Sequence, residues 1–447
     1  MIIFAFVNGT LCEIVSRKIR GSIETPPPEL TRRDLALPSL GSVRKALCVI
    51  GMRRSGKSSF LHQCRADLLR DGRPPESLLF FDFEDERLGD LAVADLALIP
   101  DLHARLYPRT VAGPVTFFFD EIQRIPDWER FARRLHDSGR VELFLSGSSA
   151  RLLSREIATA MRGRSWELVV HPFSFPEFLR HHGVPCPGRP EVPTEAEAAL
   201  MDHHFLDWLQ RGGFPEVQSL GPPESGSLLQ SYVDSVMLRD VIERHRVTSV
   251  VVLRQLIRRL LSAPCARFSV AKFHADLKSR QIASSRDTLH ELLAHLEDAF
   301  LVSAVPIATD SEKQRQLNPR KIYPADTGLI AAYDRSPRAN LGHLLESAVF
   351  TELQRRRMEV AWVHTPLGFE VDFLARDPLG VEFLLQACAE PDDPATLARE
   401  VRALEDAATV FPRARKLLLI AHSRLPKPAV PAGIEVLTTW QWMMEPH

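Results

Sequence analysis

Gly51-Met52-Arg53-Arg54-Ser55-Gly56-Lys57-Ser58 is the stretch around which the rest of the sequence is organised, and it has the form G-x-x-x-x-G-K-S. An apolar run, Ala46 to Ile50, precedes it, and a stretch with helical character follows from Ser59. A glycine loop between a strand and a helix is typical of a phosphate-binding loop, because its backbone N–H groups can close on an anion. The sequence therefore predicts a nucleotide site.

Each polar member of this loop has an expected task. Lys57 is predicted to reach the β- and γ-phosphates of ATP, and Ser58 is predicted to give its hydroxyl to Mg²⁺. The other expected nucleotide contacts come from the rest of the loop and the first helical turn: Gly51, Arg53, Arg54, Ser55, Gly56 and Ser59. The alternative is a chance glycine turn with a solvated lysine, and the flanking strand and helix favour the phosphate loop.

A second landmark is Val115-Thr116-Phe117-Phe118-Phe119-Asp120-Glu121, an apolar run that ends in two acids. In an open α/β sheet, the carboxyl ends of the strands face the ligand crevice. Asp120 is therefore expected to hold Mg²⁺, directly or through water, and Glu121 is expected to polarise the attacking water as a general base. The alternative for such a pair is a helix cap after a strand.

Further positions complete the predicted catalytic set. Ser146 follows the apolar run 141–145 and is a candidate to contact the γ-phosphate or to orient the water, with a turn-forming serine as the alternative. Arg164 is predicted to act as an arginine finger on a phosphate, in its own chain or from a neighbouring subunit, and Arg162 is the reserve candidate. The alternative is a solvated pair of arginines.

Composition limits the kind of protein this is. The chain has 447 residues, 45% hydrophobic and 25% charged, which is ordinary for a globular protein of two or three domains. The formal net charge is −1, so a nucleic-acid partner is possible but no global basic field indicates one. Six cysteines without a C-x-x-C pair are typical of reduced thiols in a cytoplasmic protein. The apolar residues 2–7 are too few to span a bilayer, so no membrane association is expected.

In their order along the chain, several motifs resemble the prokaryotic AAA-superfamily ATPases that carry a C-terminal domain of unknown function. The resemblance covers about residues 30–410. It rests on the phosphate loop and the acidic strand together with residues 80–84, 146–149, 163–164, 171–178, 212–216, 238–241, 321–329 and 370–373. It implies an AAA-type fold and ATP binding.

Residues 250–305 are expected to form a winged-helix unit. Leu253, Leu256 and Ile257 give one apolar helix face, the leucines within 289–296 give another, and 302–307 is a candidate wing strand. Such units can bind DNA by setting a helix in the major groove, although in AAA-type ATPases they are often a lid or a protein contact. Acids offset the basic residues here, so DNA binding is the less favoured alternative.

The last part of the chain resembles the restriction-endonuclease fold. Glu346 lies in a predicted helix, and Glu370 and Asp372 share one face of a predicted strand. The resemblance implies a metal held by acids and a lysine two residues after the last acid. Gln386 stands where that acid would be, and Cys388 where the lysine would be. The sequence therefore favours a docking platform over a nuclease, with Lys416 as the only lysine expected nearby.

The predicted fold is α/β: a P-loop parallel-sheet ATPase core, a helical and winged-helix middle, and a restriction-endonuclease-like C-terminal α/β domain. The expected divisions are an approach segment at 1–44, the core at 45–180, the middle at 181–310 and the C-terminal domain at 311–447. The expected activity is slow Mg²⁺-dependent ATP hydrolysis that moves the C-terminal part or an unidentified protein partner. The alternatives are an ATP-gated metal-dependent nuclease and a nucleotide-sensing module without hydrolysis. Oligomerisation is compatible with each.

Overall fold

The structure is a computed structural model that describes residues 2–38, 43–89, 91–147, 163–187, 192–309, 311, 313, 315, 319–333, 341–365, 367–423 and 428–445. The chain divides into two units, which we call unit 1 (residues 1–170) and unit 2 (residues 171–447). Among the described residues, no helix is both long enough and apolar enough to cross a lipid bilayer.

Unit 1 is built on a five-stranded parallel sheet. Its strands are β1 (Ala46–Ile50), β2 (Leu78–Asp82), β3 (Val115–Asp120), β4 (Val141–Gly147) and β5 (Ser165–Val169), in the order β2-β3-β4-β1-β5. Its helices are α1 (Ile2–Glu24), α2 (Lys57–Arg70), α3 (Leu98–Leu106) and α4 (Trp128–Asp137). The predicted α/β class and the predicted parallel core are confirmed.

Both faces of this sheet are apolar because helices pack on both. Phe118 of β3 belongs to the cluster formed with α2, whereas the ring of its neighbour Phe119 packs against Phe131 of α4. Every residue of β1 and β3 is buried, as a doubly covered parallel strand requires. Since β1 lies between β4 and β5, the strand order reverses beside it, which is where open α/β sheets form a ligand crevice.

Residues of the expected approach segment form helix α1. It packs against β2 and α3, and Ile19 is completely buried. Lys18 pairs with Asp85 at 2.6 Å. The backbone N–H of Phe80 donates to Ser22 Oγ at 2.9 Å, which satisfies a backbone group of the outer strand β2. Helix α1 is therefore part of the core of unit 1.

Unit 2 begins with helices, and the turn after the second of them is hydrogen-bonded to Asp326, much later in the chain. They are α5 (Phe175–His181), α6 (Glu195–Arg211), α7 (Pro222–Ser235), which continues as a π-helix over Val236–Glu243, and α8 (Val250–Ser262). After α6, the backbone N–H of Gly213 donates to Asp326 at 2.8 Å, and that of Gly328 donates to the same carboxylate at 2.9 Å. Gly212 has φ +78°, and a Cβ there would collide with Asp326, so the turn requires glycine.

The next elements follow the order predicted for the winged-helix unit. After α8 come β6 (Arg267–Phe268), α9 (Val270–Ser279), α10 (Arg286–Asp298), β7 (Val302–Val305) and β8 (Arg320–Pro324). The three strands form an antiparallel sheet in the order β6-β8-β7. The expected apolar faces of α8 and α10 are buried. These helices and the wing strand are confirmed as elements, and the assignment to winged-helix proteins stays a prediction.

The C-terminal part is a mixed sheet with helices on both faces. Its strands are β9 (Glu359–His364), β10 (Glu370–Arg376), β11 (Glu382–Cys388), β12 (Arg415–Ile420) and β13 (Ile434–Thr438), in the order β13-β12-β11-β10-β9. Its helices are α11 (Thr327–Tyr333), α12 (Leu341–Arg355), α13 (Pro394–Val410) and α14 (Thr439–Met444). Alternate residues of β12 pack towards α12 and towards α13. The predicted elements are confirmed; the restriction-endonuclease assignment stays a prediction.

Backbone hydrogen bonds join the small sheet to the C-terminal sheet. The N–H of Ala308 donates to Trp362 O at 2.7 Å, the N–H of Trp362 donates to Pro306 O at 3.0 Å, and Ile307 forms a parallel bridge with Trp362. The residues after β7 therefore lie along the outer strand β9. The expected boundary at residue 310 falls next to this joint, and unit 2 runs undivided from 171 to 447.

Candidate functional site

The glycine loop connects β1 to α2 and has a shape that glycine alone allows at its first position. Gly51 has φ +148°, and a Cβ there would collide with the carbonyl oxygen of Val170. Gly56 immediately precedes α2, so the amino end of that helix lies at the loop, where helices favour anions. All of the predicted nucleotide-contact residues, 51 and 53–59, lie in this loop or in the first turn of α2.

Lys57 is buried and bends back over the loop. Its Nζ donates to Met52 O at 3.1 Å and lies 3.9 Å from Glu121 Oε1. Ser55 Oγ is completely buried and has no hydrogen-bond partner among the described residues. Buried hydroxyls without partners are uncommon because they cost free energy. The lysine and this hydroxyl together fit a loop that accommodates the oxygens of an anion.

Ser58 and Asp120 meet at the carboxyl end of β3. Ser58 hydrogen-bonds to Asp120, and Ser146 Oγ donates to Asp120 Oδ1. Burial raises the pKa of Asp120 to about 6, and the two serine hydrogen bonds oppose that shift. A carboxylate beside the serine of a glycine loop is a donor set that suits Mg²⁺ in nucleotide sites. The structure thus brings the two predicted metal ligands together.

Ser146 connects the two acids at the carboxyl end of β3, Asp120 and Glu121. Besides donating to Asp120, its Oγ accepts the backbone N–H of Glu121 at 3.0 Å. Glu121 has φ +53°, an uncommon conformation outside glycine, and its side chain accepts a hydrogen bond from Gln123. Ser146 therefore positions both acids in this structure. Its predicted contact with the γ-phosphate, and the general-base role of Glu121, stay predictions.

A carboxylate that no sequence motif marks lies at the same edge of the sheet. Glu84 lies just beyond β2, and its Oε1 accepts hydrogen bonds from Arg53 of the glycine loop at 3.3 Å and from Arg124 at 2.8 Å. Partial burial opposes ionisation, but the two arginines lower the pKa of Glu84. Because its partners lie 31 and 40 positions away, no local pattern marks this residue.

A buried arginine supports the glycine loop from the chain that follows α1. Arg33 Nη1 donates to Ser55 O at 2.9 Å. The backbone N–H of Arg33 donates to Gln63 Oε1 at 2.7 Å, and Gln63 Nε2 donates back to Arg33 O at 3.1 Å. The stretch around residue 33 is thereby fixed along α2. No motif surrounds this stretch, which therefore falls within the approach segment expected at 1–44.

Arg164 lies at the opposite edge of the sheet. Its carbonyl oxygen accepts the N–H of Ala46, the first residue of β1, and its Nε lies 2.9 Å from Asp137 Oδ1. Strand β1 has five residues, so about 15 Å separates Ala46 from the glycine loop. The structure does not bring Arg164 to its own phosphate loop, and a finger offered to a neighbouring subunit stays a prediction. Arg162, the reserve candidate, lies outside the described residues.

A second cluster of charges lies in unit 2, around a lysine that no sequence pattern places there. Lys321 Nζ lies 2.8 Å from Glu346 Oε1, 2.6 Å from Glu370 Oε1 and 3.2 Å from Asp372 Oδ1, and its side chain is 2% exposed. The acids are those considered as metal ligands. The lysine comes from β8, 25 positions before Glu346 and 51 before Asp372.

The charges of this cluster nearly balance. Burial opposes the charge on Lys321, but the three carboxylates outweigh it and raise the pKa of the ammonium group. Arg267 adds a second cation, donating to Glu370 at 2.8 Å. Three ionised carboxylates against two cations would leave one excess negative charge, but burial together with Asp372 raises the pKa of Glu346 to about 8, so a proton on Glu346 balances the charges at neutral pH. The ammonium group of Lys321 lies among the three acids, within 3.2 Å of a carboxylate oxygen of each.

The other residues considered for a metal site have ordinary structural surroundings: Gln386, Cys388 and Lys416. Gln386 Oε1 accepts the backbone N–H of Asp372 at 3.1 Å, and its Nε2 donates to Glu400 at 2.7 Å. Cys388 packs in the apolar cluster beside α13, where burial raises its pKa to about 11. Lys416 lies beside the turn before β13. Within the described ranges, no group of three or more His, Cys, Asp or Glu residues is arranged to hold a metal ion.

The strand order, the glycine loop and the Ser58–Asp120 pair define unit 1 as a P-loop nucleotide-binding domain. Family models agree: an AAA domain matches residues 43–179, and a domain of unknown function, DUF8612, matches residues 202–339. An uncharacterized protein of Methanocaldococcus jannaschii is 30% identical over 383 residues, which are 85% of this chain and 82% of that protein. The chain belongs to this family of AAA-domain proteins, whose fold supports ATP binding, generally with Mg²⁺.

Three further proteins are similar to this chain. An uncharacterized protein of Haemophilus influenzae is 30% identical over 73% of this chain and 78% of that protein. A Walker-type ATPase of Pyrococcus abyssi is 17% identical, with a TM-score of 0.39 over 72% of this chain and 95% of that chain. The ORC1 protein of Aeropyrum pernix, solved in complex with DNA, is 14% identical, with a TM-score of 0.28 over 72% of this chain and 92% of that chain.

Proposed function

We propose that this protein is a Mg²⁺-dependent ATPase whose nucleotide state controls its C-terminal part. The observation that carries the proposal is the meeting of Lys57, Ser58, Asp120 and Glu121 at the carboxyl edge of the parallel sheet. A cation for phosphate oxygens, two oxygen ligands for a metal and a carboxylate for water are the groups that nucleotide hydrolysis needs.

Each residue of the set has its own task in this proposal. Lys57 leaves the carbonyl of Met52 to offset phosphate charge, and Ser58 and Asp120 hold Mg²⁺. Glu121 accepts the proton of the attacking water. Ser146 holds Glu121 and Asp120 in position through its two hydrogen bonds. Bound ATP supplies the phosphoanhydride bond that is broken, and Mg²⁺ offsets the charge of its phosphates.

Nucleotide binding is tested at Lys57. We expect Lys57→Ala to lose tight ATP binding in calorimetry with Mg²⁺, because the phosphate charge loses its point cation in a partly desolvated loop. Lys45→Ala is the matched control, since Lys45 lies at the opposite end of β1 and contacts Gly163. Wild-type affinity in Lys57→Ala would end the proposal.

Hydrolysis is tested at Glu121. We expect Glu121→Gln to bind ATP normally and to release phosphate about 10²–10⁴ times more slowly, because a neutral amide cannot take up the proton. Turnover at the parental rate would remove the catalytic role from Glu121. Since this variant is expected to retain ATP, it is also the form in which to seek the unidentified protein partner.

The C-terminal sheet is, in this proposal, a docking platform and not a nuclease. The supporting observation is Lys321, whose ammonium group lies among the acids that would otherwise hold a metal. A cytoplasmic location is part of the proposal, in line with the six free cysteines. An arginine finger at Arg164 requires a neighbouring copy, so the mass of the ATP-bound Glu121→Gln protein tests oligomerisation.

A further inference from the structure

Three segments at the nucleotide edge of unit 1 contribute charged side chains to one small network. Arg53 comes from the loop after β1, Glu84 from the chain after β2, and Arg124 from the turn after β3. Both arginines donate to the same atom, Glu84 Oε1, at 3.3 Å and 2.8 Å. One carboxylate therefore accepts hydrogen bonds from two guanidinium groups.

The network lies next to the acids of the candidate site. Strands β2 and β3 pair in register, with Asp82 opposite Asp120, and the backbone N–H of Glu84 donates to Asp82 at 2.7 Å. Arg124 follows Glu121 by three residues. The side chain of Arg53 is 18% exposed, whereas that of Glu84 is 40% exposed. The carboxylate is thus the solvent-facing partner, and the loop arginine is the more enclosed one.

We propose that Arg53 is the residue that recognises the terminal phosphate of a bound nucleoside triphosphate, and that Glu84 holds it until that phosphate arrives. The inference rests on the proposed ATPase function and deepens it. An exposed carboxylate shared by two arginines binds each of them weakly, because ion pairs in water contribute little. A terminal phosphate carries more charge and offers bidentate acceptors, so it outcompetes Glu84 for the guanidinium.

Arg53 thus supplies the phosphate-binding loop with an arginine from the same chain. Arg124, which also donates to Glu84, keeps that carboxylate in place after Arg53 leaves, so Glu84 and Arg124 are positioning residues. A diphosphate has no terminal phosphate at that position and leaves the Arg53–Glu84 contact intact. The network therefore distinguishes ATP from ADP, and the distinction is measurable as a ratio of two affinities.

The experiment measures, by calorimetry with Mg²⁺, the affinities of the full-length protein for ADP and for a non-hydrolysable ATP analogue. The variants are Arg53→Met and Glu84→Gln. The control is Glu86→Gln, which removes an exposed carboxylate two residues from Glu84. We expect Arg53→Met to bind ADP normally and the analogue about 10- to 100-fold more weakly, because one charge-assisted contact is lost. We expect Glu84→Gln to bind the analogue about two- to fivefold more tightly and ADP unchanged.

The outcomes separate this inference from the proposed function. Wild-type protein that binds neither nucleotide would defeat the ATPase proposal itself. Wild-type protein that binds both, with an unchanged affinity ratio in Arg53→Met, would overturn only the role of Arg53. If Arg53→Met also loses ADP binding, the loop is damaged, and the Glu84→Gln variant decides. A ratio of analogue affinity to ADP affinity that is higher in Glu84→Gln than in Glu86→Gln supports the inference. An equal ratio in these two variants overturns it.

Discussion

At the scale of single residues, Asp326 is fixed by backbone groups from two elements. Its oxygens accept the N–H groups of Gly213, after α6, and of Gly328, in α11. Burial raises the pKa of Asp326 to about 6, and the two hydrogen bonds oppose that shift. Because this pKa exceeds its ordinary value near 4, the ionised form is disfavoured in the folded state relative to the unfolded chain.

The stability of unit 2 should therefore depend on pH through Asp326. The folded state binds the proton more readily, so the contribution of Asp326 to stability grows as pH falls through 6 and is complete near 4. Asp326→Asn cannot titrate, and its amide group leaves one backbone N–H without an acceptor, which costs about 1–3 kcal/mol. We expect urea unfolding at pH 7 and pH 5 to show a larger gap between wild type and Asp326→Asn at pH 5. A gap independent of pH would contradict this.

At the scale of elements, the nucleotide site was predictable because its signals are local. The run from β1 through Gly51 and Gly56 into α2 lies within one continuous stretch, and Asp120 directly ends an apolar strand. Lys321 was not predictable in the same way, because it reaches Asp372 across 51 positions and from a different sheet. The fold, not a motif, creates that contact.

The acid cluster holds β8 against the C-terminal sheet through Lys321. We expect Lys321→Met to lower the free energy of unfolding by about 3–5 kcal/mol, because it leaves buried carboxylates without their cation. Lys278→Met, at an exposed position on α9, is the matched control and should leave stability unchanged. Urea unfolding compares the two variants, and equal stability would show that the carboxylates do not depend on the ammonium group.

The same cluster leads us to expect no nuclease activity. Supercoiled, linear and single-stranded DNA, and RNA, should stay uncut with Mg²⁺ or Mn²⁺, with or without ATP, because Lys321 lies where a metal would be held. Gel electrophoresis of the incubated nucleic acids is the measurement. Cleavage that disappears in Asp372→Ala but survives in Lys57→Ala would move the nuclease alternative to first place.

At the scale of the whole molecule, the chain forms two units where the sequence predicts four segments. Unit 1 includes α1, and unit 2 includes everything from residue 171 onwards. The sequence could not indicate either extension. The burial of Ile19 and the pairing of Ile307 with Trp362 depend on partners far along the chain.

This organisation predicts which fragments fold. Residues 171–447 should form a folded fragment with one cooperative unfolding transition, because they keep the joint at Trp362 and the small sheet. Residues 311–447 should not fold with a cooperative transition, because the cut separates β7 from β8 and exposes their apolar surface. Circular dichroism during heating compares the two. Equally cooperative unfolding of the shorter fragment would support the expected boundary at residue 310.

The pairing of residues 306–308 with Trp362 also bears on aggregation. Outer strands present unpaired backbone groups that can recruit another chain, and proteins commonly protect them with covering segments or charges. Here the chain after β7 occupies the middle of β9. In the part of the chain that the structure describes, strand addition at this sheet is therefore left to β13, the opposite outer strand, where the exposed Glu435 forms an ion pair with Arg415. Charged side chains on an outer strand oppose such pairing.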